Sequence, residues 1–170
     1  MILETARLRL RPFVAADVPA YAAIRADPEV MRPMPGGVAR CASAAADAAR
    51  LVADFAAQWG TVGCAPWAVE ERASGALLGH GGLRLLPDLG GETEILYLLT
   101  RAAWGRGLAS EVAAAARDAG FGRFGLRRLV GYAAPGNAAS CRVLEKTGLA
   151  FEREVEVFGL AARRTVIGRG

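Results

Sequence analysis

The sequence predicts an α/β (α+β) fold, a mixed sheet covered by helices. Three observations carry this. Short runs alternate apolar and polar residues, as in "LRLRPF" from Leu8 to Phe13. Alanine-rich stretches repeat apolar residues at helical spacing. The two kinds of segment interleave along the chain, so helices must cover a sheet rather than form a separate bundle. The chain has 170 residues, of which 53% are hydrophobic, which suits one domain with a sizeable core. No repeat, linker or break in composition divides it, so residues 1–170 are expected to form a single domain.

"LRLRPF" reads as a half-buried strand. "AADVPAYAAIRA" and "ASAAADAARLVADFAAQW" read as helices, separated by the Pro/Gly turn signals of "DPEVMRPMPGG". "PWAVEE" and "GALLGHGGLRLL" are strands around a turn at Ala73-Ser74-Gly75, and "TEILYLL" is the next strand. Leu108, Val112, Ala115 and Ala119 lie at helical spacing, so that segment should pack one face on the sheet. "RLVGYAA" is a strand. "NAASCRVLEKTG" is a short helix with Asn137 as N-cap and Gly148 as C-terminal stop. "LAFEREVEVF" and "ARRTVIG" close the chain as strands. The expectation is about seven strands and about four helices.

The net charge is +4 and the pI about 9.4, with arginines and acids interspersed. That bias suits an anionic small ligand, but the basic-aromatic pattern of a nucleic-acid binder is missing. Cys41, Cys64 and Cys141 are far apart and His80 is the only histidine, so no metal site is expected. No charged-then-apolar leader follows Met1 and no apolar run reaches ~18 residues. A cytoplasmic protein without membrane association is expected.

"WGRGLAS", Trp104 to Ser110, places two glycines around Arg106 where a strand hands over to a helix. The first amides of a helix lack partners and carry the positive end of its dipole. Glycines let the backbone approach a phosphate, and Arg106 adds charge. The segment reads either as an anion site or as an ordinary tight turn. A dinucleotide fingerprint would need glycine at Ser110 and an acid about 20 residues on, where "LRRLVG" stands instead. A P-loop would need Gly-Lys-Ser/Thr, which the chain lacks.

Taken together, "ETARLRLRPF", "ADPEVMRPM", "LLGHGGLRLL", "TEILYLLTRAAWGRGLASEVAAAARDAGF" and "NAASCRVLEKTGLAFERE" resemble, in order, the GNAT superfamily of acyl-CoA-dependent N-acetyltransferases. Within it they resemble the branch that includes ribosomal-protein N-terminal acetyltransferases. The phosphate-loop pattern of the family is Gln/Arg-x-x-Gly-x-Gly/Ala. Here Trp104 takes the first place, and Gly107 and Ala109 the others.

The resemblance implies a mostly antiparallel sheet splayed between its fourth and fifth strands, "TEILYLL" and "RLVGYAA", with acetyl-CoA as cosubstrate in the gap. It implies that Gly105, Arg106, Gly107, Leu108, Ala109 and Ser110 hold the pyrophosphate. Free backbone groups of Leu98, Leu99 and Thr100, together with Asn137, would hold the pantetheine, one amide polarising the acetyl oxygen. Glu94 stands where several members carry a catalytic glutamate and is the candidate general base; read without the resemblance, it is a surface strand glutamate. His80 is a second candidate because its ordinary pKa suits the task. Glu70 and Glu71 are further possibilities. Ser140, in "NAAS", would donate to the leaving thiolate, with Tyr132 as the next donor to consider.

The implied function is acetyl-CoA-dependent N-acetyl transfer to a primary amine, on a protein N-terminus or a small molecule, by direct attack on the thioester. The alternative is an inactive CoA-binding sensor or interaction module of the same fold. The partners expected are acetyl-CoA and the amine acceptor, and the enzyme would be a monomer or homodimer.

Overall fold

Eight strands form one sheet in the order β1-β2-β3-β4-β5-β6-β8-β7. They are β1 (Leu3–Glu4), β2 (Leu8–Arg11), β3 (Pro66–Glu71), β4 (Leu77–Leu86), β5 (Glu92–Leu99), β6 (Arg128–Ala133), β7 (Ala150–Val157) and β8 (Leu160–Gly168). The helices are α1 (Val18–Arg25), α2 (Pro28–Met31), α3 (Ala44–Thr61), α4 (Leu108–Gly122) and α5 (Ala138–Lys146). The computed structural model describes residues 1–170.

Two elements exceed the expected count. β1 pairs with β2 through only Leu3↔Leu10 and Glu4↔Arg9, too short a run for alternation to show in sequence. The "DPEVMRP" stretch, expected as a turn, contains α2. Asp27 caps it by accepting the Glu29 amide at 2.9 Å, and Pro28 takes the first helical position, where its missing N–H costs nothing.

The sheet has a core on each face. On one, α4 and α5 bury Leu108, Val112, Ala113, Ala116 and Leu144 against Leu8, Leu10, Trp67, Val69, Leu83, Ile95, Leu99 and Leu129. On the other, α1 and α3 bury Tyr21, Ile24, Val52 and Phe55 against Phe13, Ala68 and Leu98. The face of α4 turned to the sheet therefore includes Ala113 and Ala116, while Ala115 is only half-buried.

Strands β4 and β5 pair continuously from Gly79↔Leu99 to Leu86↔Glu92. Strands β5 and β6, which are parallel, share one registered pair, Glu94↔Val130, and part beyond it. The opening lies where the sequence reading placed it, between "TEILYLL" and "RLVGYAA".

Helix α4 can lie close to β4 because of a glycine. A Cβ on Gly81 would stand 2.4 Å from Val112 Cγ1, well inside van der Waals contact. Gly81→Ala should cost roughly 1–3 kcal/mol as overpacking. Adding Val112→Ala should recover part of that loss, beyond the sum of the two single effects. Urea unfolding of the two single variants and the double variant checks this.

Candidate active site

Gly105 and Gly107 both lie in the left-handed region, at φ 70° and 75°, which is what the turn from β5 into α4 needs of them. The first backbone bond of α4 runs from Glu111 N to Gly107 O at 3.1 Å. Ahead of it, none of the six N–H groups from Gly105 to Ser110 donates to a backbone carbonyl. They form a run of donors at the positive end of the helix.

The turn is tied to the opposite edge of the sheet. Arg7 donates from Nη1 to Arg106 O at 2.7 Å and from Nε to Glu111 Oε2 at 2.7 Å. Thr5 Oγ1 and the Arg7 amide donate to Glu111 Oε1 at 2.5 and 2.9 Å. Burial pushes the Glu111 carboxyl up, but these donors together hold it below the usual carboxylate range. The side chain of Arg106 was expected to add charge to the anion site. Instead its Nη2 pairs with Glu71 Oε1 at 2.5 Å, because the end of β3 places that carboxylate beside the turn. The Arg106 guanidinium is thus paired, while its backbone N–H makes no bond to a carbonyl.

The backbone expectation for β5 narrows in the same way. The Thr100 amide donates to Leu78 O at 2.7 Å, and Thr100 O accepts from Ala103 at 3.0 Å. Antiparallel pairing alternates the direction of backbone groups, so Leu98, two residues back and opposite His80, also turns its polar groups to β4. Thr100 and Leu98 are therefore not free. Leu99 and Tyr97 present theirs to the opening. Leu99 O already accepts the Trp104 indole at 2.9 Å, which leaves the Leu99 amide as the available donor.

Glu94 is buried, only 5% exposed, and so is not a surface strand glutamate. Arg84, opposite it on β4, donates to Glu94 Oε2 from Nε at 2.9 Å and Nη2 at 2.5 Å. Desolvation raises the Glu94 pKa, and the charge and hydrogen bonds of Arg84 oppose the rise without cancelling it. The same face of the sheet carries a polar group that the sequence reading did not find. Arg164, buried on β8, pairs with both Glu92 and Glu152. Tyr132 donates to Glu92 Oε2 at 3.2 Å. Phe158, the one non-glycine residue at positive φ, lies at the β7–β8 turn with the Arg84 guanidinium 4.8 Å over its ring.

His80 is a core residue whose surroundings make it a weak proton acceptor. It is 4% exposed, its Nδ1 lies 2.8 Å from the Tyr21 hydroxyl, and its ring packs on Tyr21 and Phe55. Burial first, then the nearby Arg25 and Arg84, lowers its pKa to about 3, so it is neutral wherever an amine could be acetylated. Glu70 is engaged by Arg11 at 2.8 Å, and Glu71 by Arg106 and Ser74.

Asn137 Oδ1 accepts from the Ser140 amide at 3.1 Å, the capping bond expected of it, and leaves its own NH2 group for a ligand. The Ser140 hydroxyl is 2.9 Å from the hydroxyl of Tyr97. Tyr132, the donor expected next after Ser140, is on the opposite face with Glu92. Period-two alternation accounts for this: Tyr97 shares the α4/α5 face with Ile95 and Leu99, whereas Tyr132 shares the other face with Val130. Cys141 is buried, its sulfur 4.0 Å from Ala134 O, and packs in the core.

A sheet opened between two parallel strands, beside a glycine turn and the bare start of a helix, joins a ligand-sized gap to an anion-binding edge. Residues 7–150 match the model of the acetyltransferase (GNAT) domain, and the chain belongs to that family. An uncharacterised N-acetyltransferase of Bacillus subtilis (strain 168), YoaA, is 33% identical over 153 residues, 90% of this chain and 84% of its own length. YkkB of the same strain is 34% identical over 95 residues, so the match spans about half of that relative, 55%. An acetyltransferase from Agrobacterium tumefaciens str. C58 superposes with a TM-score of 0.80 at 28% identity, over 99% of this chain and 95% of that one. RimL, a ribosomal L7/L12 alpha-N-protein acetyltransferase solved with coenzyme A, shares the fold with a TM-score of 0.82 at 16% identity, over 99% and 98% of the two chains. No helix is long and apolar enough to cross a membrane.

The neutral His80 makes a structural prediction. Tyr21→Phe leaves its Nδ1 buried without a partner and should lower unfolding free energy by about 1–3 kcal/mol. Because the fold depresses the His80 pKa, stability should in addition fall as pH drops below ~6.5, where the unfolded chain takes a proton the fold refuses. Denaturant melts of parent and variant across pH measure both.

Proposed function

We propose that this chain, acting as one unit over residues 1–170, transfers an acetyl group from acetyl-CoA to a primary amine by direct attack on the thioester. The reading is carried by the six unpaired N–H groups from Gly105 to Ser110, placed beside the β5–β6 opening. Donors in that arrangement suit a diphosphate. The coenzyme A bound by the structural neighbour RimL supports the same ligand. The acceptor is a protein N-terminus or a small-molecule amine, and the setting is the cytoplasm.

The acetyl-CoA thioester supplies the activated acyl group; the chain supplies position and polarity. The amides of Gly105 to Ser110 hold the diphosphate, and the Asn137 side-chain amide and the Leu99 region hold the pantetheine. The Leu99 N–H donates to the acetyl oxygen, where negative charge grows as the amine attacks. Glu94 removes a proton from the amine, directly or through a water. Its desolvation makes it a stronger base than an exposed glutamate, and Arg84 fixes the carboxylate in place. Ser140 donates a hydrogen bond to the leaving thiolate, whose acidity resembles that of a cysteine at ~8.5, so stabilisation rather than full proton transfer is enough.

The direct test is thiol release from acetyl-CoA with a panel of amines, followed by mass spectrometry of the acetylated products. A sensor of the same fold would bind CoA and release no thiol with any amine.

Two variants probe the parts. Gly107→Glu places a side chain at positive φ and a negative charge at the diphosphate; CoA affinity by calorimetry should fall sharply, and an unchanged affinity rejects the cradle. Glu94→Gln should slow turnover ~100- to 10,000-fold. In the parent, burial raises the Glu94 pKa, so turnover should fall with decreasing pH at a point above the ordinary glutamate range. The Gln variant should lack that acidic limb. Turnover within about threefold of the parent counts against Glu94 as base.

A further inference from the structure

We infer that Tyr97 is a positioning residue that aims the Ser140 hydroxyl at the leaving sulfur. This rests on the reading of Ser140 as the thiolate donor and adds to it the group that controls its proton.

Tyr97 is on β5, three residues after Glu94, so its side chain leaves the strand on the α4/α5 face. Its phenol reaches across to the first turn of α5 and meets Ser140 twice. The hydroxyl oxygens are 2.9 Å apart, and the Tyr97 hydroxyl is 3.1 Å from Ser140 O. The Ser140 amide is held separately by Asn137. Ser140 is thereby fixed at its amide, its carbonyl and its hydroxyl. Two of those three contacts come from a single phenol.

A phenol has one proton, so the two contacts cannot both be donations from Tyr97. When the phenol donates to Ser140 O, the serine proton is directed back to the phenol oxygen. When the phenol donates to Ser140 Oγ, the serine proton is free to point away, into the opening. The second arrangement suits the departing thiolate. As the bond from the acyl carbon to sulfur breaks, its electron pair passes to sulfur. Ser140 then donates a hydrogen bond to that sulfur, and Tyr97 donates one to Ser140 Oγ. No proton leaves either hydroxyl. Burial pushes the Tyr97 phenol up to about 12, which keeps it protonated throughout. A donor that itself accepts a hydrogen bond is polarised, so the Tyr97–Ser140 pair stabilises the anion more than the serine alone.

Tyr97→Phe removes the hydroxyl and keeps the ring. It should lower kcat about three- to tenfold and leave CoA affinity unchanged. Ser140→Ala should lower kcat about tenfold to somewhat over a hundredfold. In the Ser140→Ala background, Tyr97→Phe should cost nothing further. A loss that is the same in both backgrounds overturns the inference, because Tyr97 would then act without Ser140. So would a parallel fall in CoA affinity.

A second readout is independent of how much variant is folded: the ratio of rates on acetyl-CoA and on an acetyl thioester with a more acidic thiol. The Tyr97→Phe deficit should shrink on the better leaving group, and an equal deficit on both counts against the role. The two readings separate cleanly. If Ser140→Ala slows turnover and Tyr97→Phe does not, the inference alone fails. If Ser140→Ala has no effect, the reading of Ser140 fails and takes this one with it.

Discussion

The single registered pair between β5 and β6, Glu94↔Val130, is the constraint on which the site depends. A buried strand normally satisfies its backbone on both sides. Past Glu94, β5 keeps only β4, and each remaining group on its other side must find a substitute. Leu99 O takes the Trp104 indole, and so the glycine turn is pinned to the strand that precedes it. The Leu99 amide is left over. One broken ladder thus produces both a gap and a donor at its edge, without any residue unusual in itself. The parallel direction of β5 and β6 also matters. It requires a crossover helix, and that helix, α4, begins at the mouth of the gap it helps to bridge.

Holding α4 there takes work from far away in sequence. Its first turn would favour an acid by its dipole, and Glu111 is there, but Thr5 and Arg7 occupy that carboxylate. Arg106 is likewise occupied by Glu71. Arg7, Glu111 and Arg106 are thus all engaged in fixing the turn, and the backbone N–H groups are left to face an anion. Fixed donors need little reorganisation when a ligand arrives, which is an advantage over a mobile guanidinium.

Seven of the eight strands and the glycine turn were legible in the sequence, because alternation, glycine spacing and N-capping are local signals; the two-residue β1 was not, and the opening was placed through motif resemblance. Glu94, Ser140 and Asn137 were placed through motif resemblance. Partners across the sheet were not legible, because they depend on register. Arg84 meets Glu94 only because the β4–β5 turn centres on Leu89, so positions equally far from it come opposite. The fate of Arg106 and of Thr100 was hidden for the same reason: Glu71 and Leu78 reach them through pairing that no local pattern states. The burial of His80, which weakens it as a proton acceptor, was invisible in "GHGG"; its neighbours Tyr21 and Phe55 come from helices 25 or more residues away. Tyr97 had a usable signal that was passed over. Its odd spacing from Glu94 places the two on opposite faces of the sheet.

On the proposed mechanism, that odd spacing separates the base from the thiolate donor. An acyl group held in the plane of the sheet, between β5 and β6, would have Glu94 and Arg84 on the α1/α3 side and Tyr97 and Ser140 on the α4/α5 side. Direct attack on a thioester needs a base near the incoming amine and a hydrogen-bond donor near the outgoing sulfur. If the base and the donor shared one face, each would weaken the other: the carboxylate would accept the serine hydrogen, and the thiolate would form beside a negative charge. Separation by a strand prevents both. A three-residue step along β5 achieves it, since residues an odd number apart point to opposite faces. On the same proposal, the polarity of each face matches its task. One holds a buried carboxylate kept in position by an arginine, and the other holds two neutral hydroxyls, which can stabilise an anion without first giving up a charge of their own.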